Sequence, residues 1–280
     1  MAKAPAAAKN LPVAWEEELA KEAAIAAKME GNVGGGNFFS TKGGVLTYND
    51  APFPNNEMAV VILDSVLENV FYEDAYDPDA PASPLCYAFG RDELTLAPHS
   101  KVIELHNGQA ASCAECPMNI FGSADKGRGK ACKNGRRLGL IPAGTFDKNA
   151  RFEMIEDSEH FEKAAAAFFK LSVTSVKGYA AYVKQLAAVL KRPPYGVFTK
   201  IKVVPDPKNQ FVTTFEALGA IPNELMPAIK ARHDEIAATI VFPYSTIEAG
   251  EAPAKPAKKG AKAGPGSRPQ VRRGGVGSKY

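Results

Sequence analysis

All four cysteines of this 280-residue chain lie between positions 86 and 132, and how they are used limits the fold more than any apolar pattern does. Cys113 and Cys116 form a C-x-x-C knuckle, Cys86 stands upstream at the end of a proline-rich loop, and Cys132 stands downstream in a glycine-rich loop. A knuckle presents two thiolates to one metal, and two more from elsewhere complete the tetrahedron that structural Zn²⁺ prefers. Such a site keeps no open position, so it braces the chain and does not catalyse. Cys86, Cys113, Cys116 and Cys132 are therefore the candidate zinc ligands. An iron–sulfur cluster also takes four cysteines, and two disulfides are a further use of four thiols. Disulfides need an oxidising compartment, whereas residues 1–10 lack the apolar core of a secretory signal, which points to the cytoplasm. His99 and His106, between Cys86 and Cys113, are the candidates to replace a cysteine ligand.

Residues 126–137 read KGRGKACKNGRR and place Lys126, Arg128, Lys130, Lys133, Arg136 and Arg137 around Cys132 without an acidic residue. Six like charges in twelve residues repel one another. Clamping them with a metal makes physical sense when a polyanion neutralises them, so the run is a candidate phosphate-tracking surface. A solvated basic loop is the plain alternative. The chain carries +3 overall, while its last thirty residues hold eight Lys/Arg against one Glu, so the first 250 sum to −4. The body is mildly acidic and the tail is basic throughout.

Residues 1–36 read as an extension with one helix over 11–29, and residues 246–280, rich in Ala, Lys, Gly and Pro, read as a disordered basic tail. Between them, residues 37–245 form the body. Its pattern predicts a hairpin from 38–41 and 45–48, a strand over 58–63 that resumes at 70–72, and an apolar stretch at 138–141. Further short strands are expected at 151–155 and 168–173. Helices are expected over 176–191 and 223–240, and a second hairpin from 195–204 and 210–215. In that hairpin Val197, Thr199, Ile201 and Val203 share one face, leaving Phe198, Lys200 and Lys202 on the other. An aromatic with two lysines is the composition of a strand that stacks bases and holds phosphates. An edge strand protected by lysines has it too. No apolar run spans a bilayer, and no P-loop, G-x-S-x-G or H-E-x-x-H is present, so no enzymatic activity is expected.

MAVVIL at 58–63, PLCYAFGRD around Cys86, CAECPMNIFGSADKGRGKAC from Cys113 to Cys132 and TSVKGYAAYV from Thr174 together resemble the zinc-containing single-stranded DNA-binding proteins of tailed phages. The resemblance covers most of the chain between the tails. It implies an OB-type barrel whose groove takes one strand, with zinc bracing a neighbouring subdomain, in a protein of replication or recombination working in a host cytoplasm and meeting partner proteins there. The chain departs from that pattern in offering four cysteines where a histidine is among the ligands, and in ending on a basic tail where an acidic one is usual. The expectation is thus a mainly β protein with flanking helices, an OB-like barrel carrying a zinc-stabilised insertion at about 86–137, that binds single-stranded DNA. Phe121, Phe198 and Tyr195 would stack on bases, and the cations of 126–137 with Lys200 and Lys202 would track phosphates. A metal-dependent or iron–sulfur nuclease and a zinc-ribbon protein that contacts duplex DNA or a polymerase are the alternatives.

Overall fold

The apolar run at 58–63 and its resumption at 70–72 are parts of one strand, β4 (Glu57–Phe71), fifteen residues long. Twelve of those fifteen residues are buried and Ser65, Leu67 and Phe71 are half-buried, because helices cover both faces of the sheet at this strand. A strand buried on both sides needs no alternation, which is why its sequence reads as a continuous apolar block. The computed structural model describes residues 37–73, 83–125 and 127–244. The helix expected over 11–29 and the basic tail lie outside them.

The described residues form an α+β fold around one large mixed sheet. Its path is β10 (Gln210–Ala220), β9 (Val197–Asp206), β4, β6 (Lys133–Phe146), β8 (Ala167–Leu171), β1 (Phe38–Ser40), β2 (Thr47–Tyr48) and β3 (Ala51–Pro52). β5 (Cys86–Gly90) pairs with the far half of β4, and β7 (Phe152–Met154) with the end of β6. All pairings are antiparallel except β1 with β8. The path is open: no strand pairing joins β10 to β3 among the described residues. The two ends nevertheless approach, since Phe211 of β10 packs on Gly44 beside β2.

Four α-helices are found among the described residues: α1 (Ser100–Glu104), α2 (Ser158–Lys163), α3 (Val173–Gln185, continued by a π-helical turn at Leu186–Leu190) and α4 (Met226–Thr239). α3 lays Tyr179, Tyr182 and Leu186 on the face of Val60, Ile62, Leu140 and Ile201. α4 and α2 lay Ile229, Ile236 and Phe161 on the opposite face, against Val61, Leu63, Ile141 and Phe198. Gly139 lets α4 in, because a Cβ there would stand 2.5 Å from Ile236 Cγ2. Both expected hairpins form, with Phe39 opposite Tyr48 and Val203 opposite Thr213.

The two-faced cover corrects one site expectation. Phe198 does point away from Ile201 and Val203, but that side is no solvent face: α2 and α4 close over it, and Phe198 is 2% exposed. It packs against Phe152 and Phe161 at ring separations of 5.5 and 6.3 Å. Nor is β9 an edge, since it lies between β10 and β4.

Candidate functional site

β4 brings the cysteines together. Cys86 opens β5 opposite Phe71, and Cys132 immediately precedes β6, whose first residue Lys133 lies opposite Val70. Both single cysteines therefore flank the same end of β4, one from each side, although 46 positions separate them. The knuckle loop crosses over this end. Its backbone is tied down where Cys113 N–H donates to Leu96 O (2.8 Å) and Cys132 N–H donates to Met118 O (2.8 Å).

All four cysteines line one cavity of about 10 Å³, the room of roughly one water-sized sphere. None forms a disulfide, which leaves the bridged alternative without support. Burial pushes the Cys132 thiol up to about 12 and the Cys113 thiol up to about 11, with the neighbouring thiols adding to both. Cys86 is raised by burial too, against a hydrogen bond from the Gln109 backbone. As they stand, no group of three or more His, Cys, Asp or Glu side chains among the described residues is arranged to hold a metal ion. The shared cavity weighs more, because thiols gather on a metal only as it displaces their protons, whereas a common lining position is set by the backbone. The donor set fits zinc, and one buried group fits it better than it fits neutral thiols. Asn69 Nδ2 finds no acceptor in hydrogen-bonding geometry, yet its amide stands close enough to Cys113 to work against the rise in that thiol. A thiolate at Cys113 is the acceptor such an orphaned donor calls for. His99 instead caps α1 through Lys101 N–H and packs on Tyr87, 5.2 Å between ring centres.

The segment from the knuckle to Cys132 is a loop closed on itself. Asn119 Nδ2 donates to Cys113 O (2.7 Å), Gly122 N–H donates to Gly129 O (2.9 Å), and Ala131 N–H donates to Ser123 Oγ (2.9 Å). Gly122 turns the tip with φ +92°, a conformation that favours glycine. At that tip Phe121 is 77% exposed, and Lys130 Nζ stands 5.2 Å from its ring centre while donating to Asn119 Oδ1. Arg128 and Lys133 are exposed beside them, and Lys126 is outside the described residues. This face combines an accessible ring with cations, which can serve a base and a phosphate at once.

The rest of the basic run goes elsewhere, because residues from Lys133 onward are strand and successive side chains must point to opposite faces. Arg136 leans over the Tyr179 ring on the α3 side. Arg137 enters the other face and is 1% exposed, with its Nη2 2.8 Å from Glu68 Oε1. Its Nη1 donates to Ile240 O (3.1 Å) and Phe242 O (2.9 Å), and its guanidinium lies 4.1 and 4.2 Å from the Phe89 and Phe242 ring centres. It is a structural lock and not a phosphate contact. Lys200 and Lys202 are likewise engaged, with Glu216 and with Glu57 across the sheet, and Tyr195 stacks on His233 at 4.3 Å. Sequence reasoning missed Asn69, Asn119 and the Glu68–Arg137 pair. Only Asn119, three residues past the knuckle, carried a local signal.

No protein-family model, no curated protein and no solved structure matches the chain.

Proposed function

We propose that the chain binds single-stranded DNA without catalysing a reaction on it, and that Cys86, Cys113, Cys116 and Cys132 hold one structural zinc ion that braces the binding loop. The observation that carries this reading is the loop tip: Phe121 at 77% exposure with Lys130 over its ring, on a loop bracketed by cysteines that share one cavity. A large exposed ring is costly to leave in water, and a base stacked on it removes that cost. Phosphates would meet Lys130, Arg128, Lys133 and, from the sequence, Lys126. The metal would supply rigidity alone, since four thiolates leave it no open position.

The OB-like barrel belongs to the same proposal. A curved arrangement is supported by the approach of Phe211 to Gly44 and by one core cluster that holds Leu46, Phe169 and Val203 and is packed on by Phe39 of β1 and Phe215 of β10. α3 packs on that cluster as a plug.

The experiment is a fluorescence-anisotropy titration with matched single- and double-stranded oligonucleotides at two salt concentrations. Base stacking distinguishes the forms, because a duplex hides base faces, whereas phosphate contacts do not. Preference for the single strand is expected, reduced by Phe121→Ala. Equal affinity for both forms would favour a duplex-binding zinc protein, and strand cleavage with added divalent metal would favour a nuclease.

A further inference from the structure

A second cavity, of about 210 Å³, opens at the other end of β4 and β6, between the start of β4 and the turn from β6 into β7. From Met58 to Phe71 the strand runs on the order of 40 Å, so this cavity is separate from the cysteine knuckle. Phe39, Phe53 and Phe146 provide aromatic walls, and Met58 and Val60 an apolar floor. A cavity of about 150 Å³ admits a benzene ring, so this one has room for a single larger flat ring.

Glu57 is its most buried polar side chain; Asn55, Thr145 and Asp147 also line it, and Asp147 Oδ1 accepts from the Asn149 and Arg151 N–H groups. The Glu57 side chain is only 8% exposed. Its Oε2 accepts from Lys202 Nζ at 2.9 Å, which leaves Oε1 with acceptor capacity. A carboxylate oxygen among aromatic and apolar walls is a strong acceptor for a ring N–H donor. Lys202 already balances the charge of Glu57, and Lys200 already sits over the Phe146 ring at 5.9 Å. A flat ring with an N–H on its edge suits such a lining, since it stacks on the phenylalanines while donating to a carboxylate.

We propose that this cavity binds one nucleobase that carries an exocyclic amino group, stacked among the phenylalanines and donating to Glu57 Oε1. Adenine, cytosine and guanine offer such a group. Thymine offers one N–H flanked by two carbonyl oxygens, which repel a carboxylate. The ligand is either a free nucleotide or one base of a strand, and the inference goes beyond the strand-binding loop because it needs none of the loop's residues.

The test is an NMR and calorimetric titration of the full chain with dAMP, dCMP, dGMP and dTMP. At least one amino-bearing nucleotide should bind saturably and at least about tenfold tighter than dTMP, a difference of about 1.4 kcal/mol. Thr145→Trp, on an exposed rim position, should block the cavity without affecting the melt, and Glu57→Gln should weaken binding and narrow the gap to dTMP. Phe121→Ala should leave mononucleotide binding unchanged, which separates failure of this site from failure of the loop. Tightening in a dC oligonucleotide relative to dCMP, lost in Thr145→Trp, would assign the site to a strand, and equal affinity would assign it to a free nucleotide. No saturable binding, equal binding of dTMP, indifference to Thr145→Trp, or preference for tetramethylammonium over all four nucleotides would overturn the proposal.

Discussion

Replacing Arg137 with methionine separates a lock from a DNA contact. In the parent, Arg137 and Glu68 are 1% and 0% exposed at their side chains and meet at 2.8 Å. Tyr244 Oη also donates to Glu68 Oε1, at 2.5 Å, while Glu68 Oε2 has no partner. Methionine keeps much of the apolar stem but leaves Glu68 with one hydroxyl donor and strands the carbonyls of Ile240 and Phe242. Removing one member of a buried ion pair costs about 3–5 kcal/mol. For a body of roughly 200 residues, each kcal/mol lowers Tm by about 2–4 °C, so a fall of roughly 6–20 °C is expected. Adding Glu68→Leu should recover most of the loss, because replacing both charges with apolar groups of similar size is close to neutral. Urea melts of the parent, both single variants and the double variant measure the coupling. DNA affinity, taken at a temperature where all four are folded, should not change with Arg137→Met alone. A variant that melts within about 2 °C of the parent but loses DNA affinity would refute the reasoning and return Arg137 to the phosphates.

Phe121→Ala should leave the melt unchanged and cost about 1–3 kcal/mol of single-strand affinity, measured by anisotropy. Phe198→Ala should do the reverse, losing about 3–5 kcal/mol of stability through the cavity it leaves between α2, α4 and the sheet. Elemental analysis of protein purified under reducing conditions should find one zinc per chain, and Cys→Ser at each of the four positions should release it with similar losses of Tm; colour from iron or a metal-free preparation would count against this. Truncation after Tyr244 should spare stability while weakening DNA binding and its salt dependence, whereas truncation before Ile240 should also lower Tm, because Arg137 loses both carbonyl acceptors. Burial raises the Tyr182 hydroxyl to about 12 from 10.0, and Tyr179 and Tyr244 are raised by burial as well. Their contribution to stability is whole below about pH 10 and is lost as pH climbs through the folded values, so alkaline melts should show a steep limb that Tyr182→Phe makes shallower.

The chain by itself determined its local elements. The pattern of Thr199, Ile201 and Val203, the punctuation at Pro193 and Pro194, and the turn at 205–209 place β9, α3 and the start of β10 within a few residues of where they form, because period and turn chemistry act over short range. The C-x-x-C knuckle likewise marked Cys113 and Cys116 as a pair, with Cys86 and Cys132 the remaining thiols. That all four line one cavity was decided by β4, whose Val70 pairs with Tyr87 of β5 on one side and Lys133 of β6 on the other, a contact between positions far apart in the chain. The fate of the basic run was tertiary too. A row of cations reads as one surface until part of it becomes strand; then Lys133 stays in solvent, Arg136 crosses to α3, and Arg137 is enclosed by a carboxylate and rings drawn from positions 38, 68, 89, 242 and 244. Phe198 shows the same limit. Alternation correctly set it on the face opposite Ile201, but only the docking of α2 and α4 made that face interior, since periodicity tells which side chains share a side and never what lies against it.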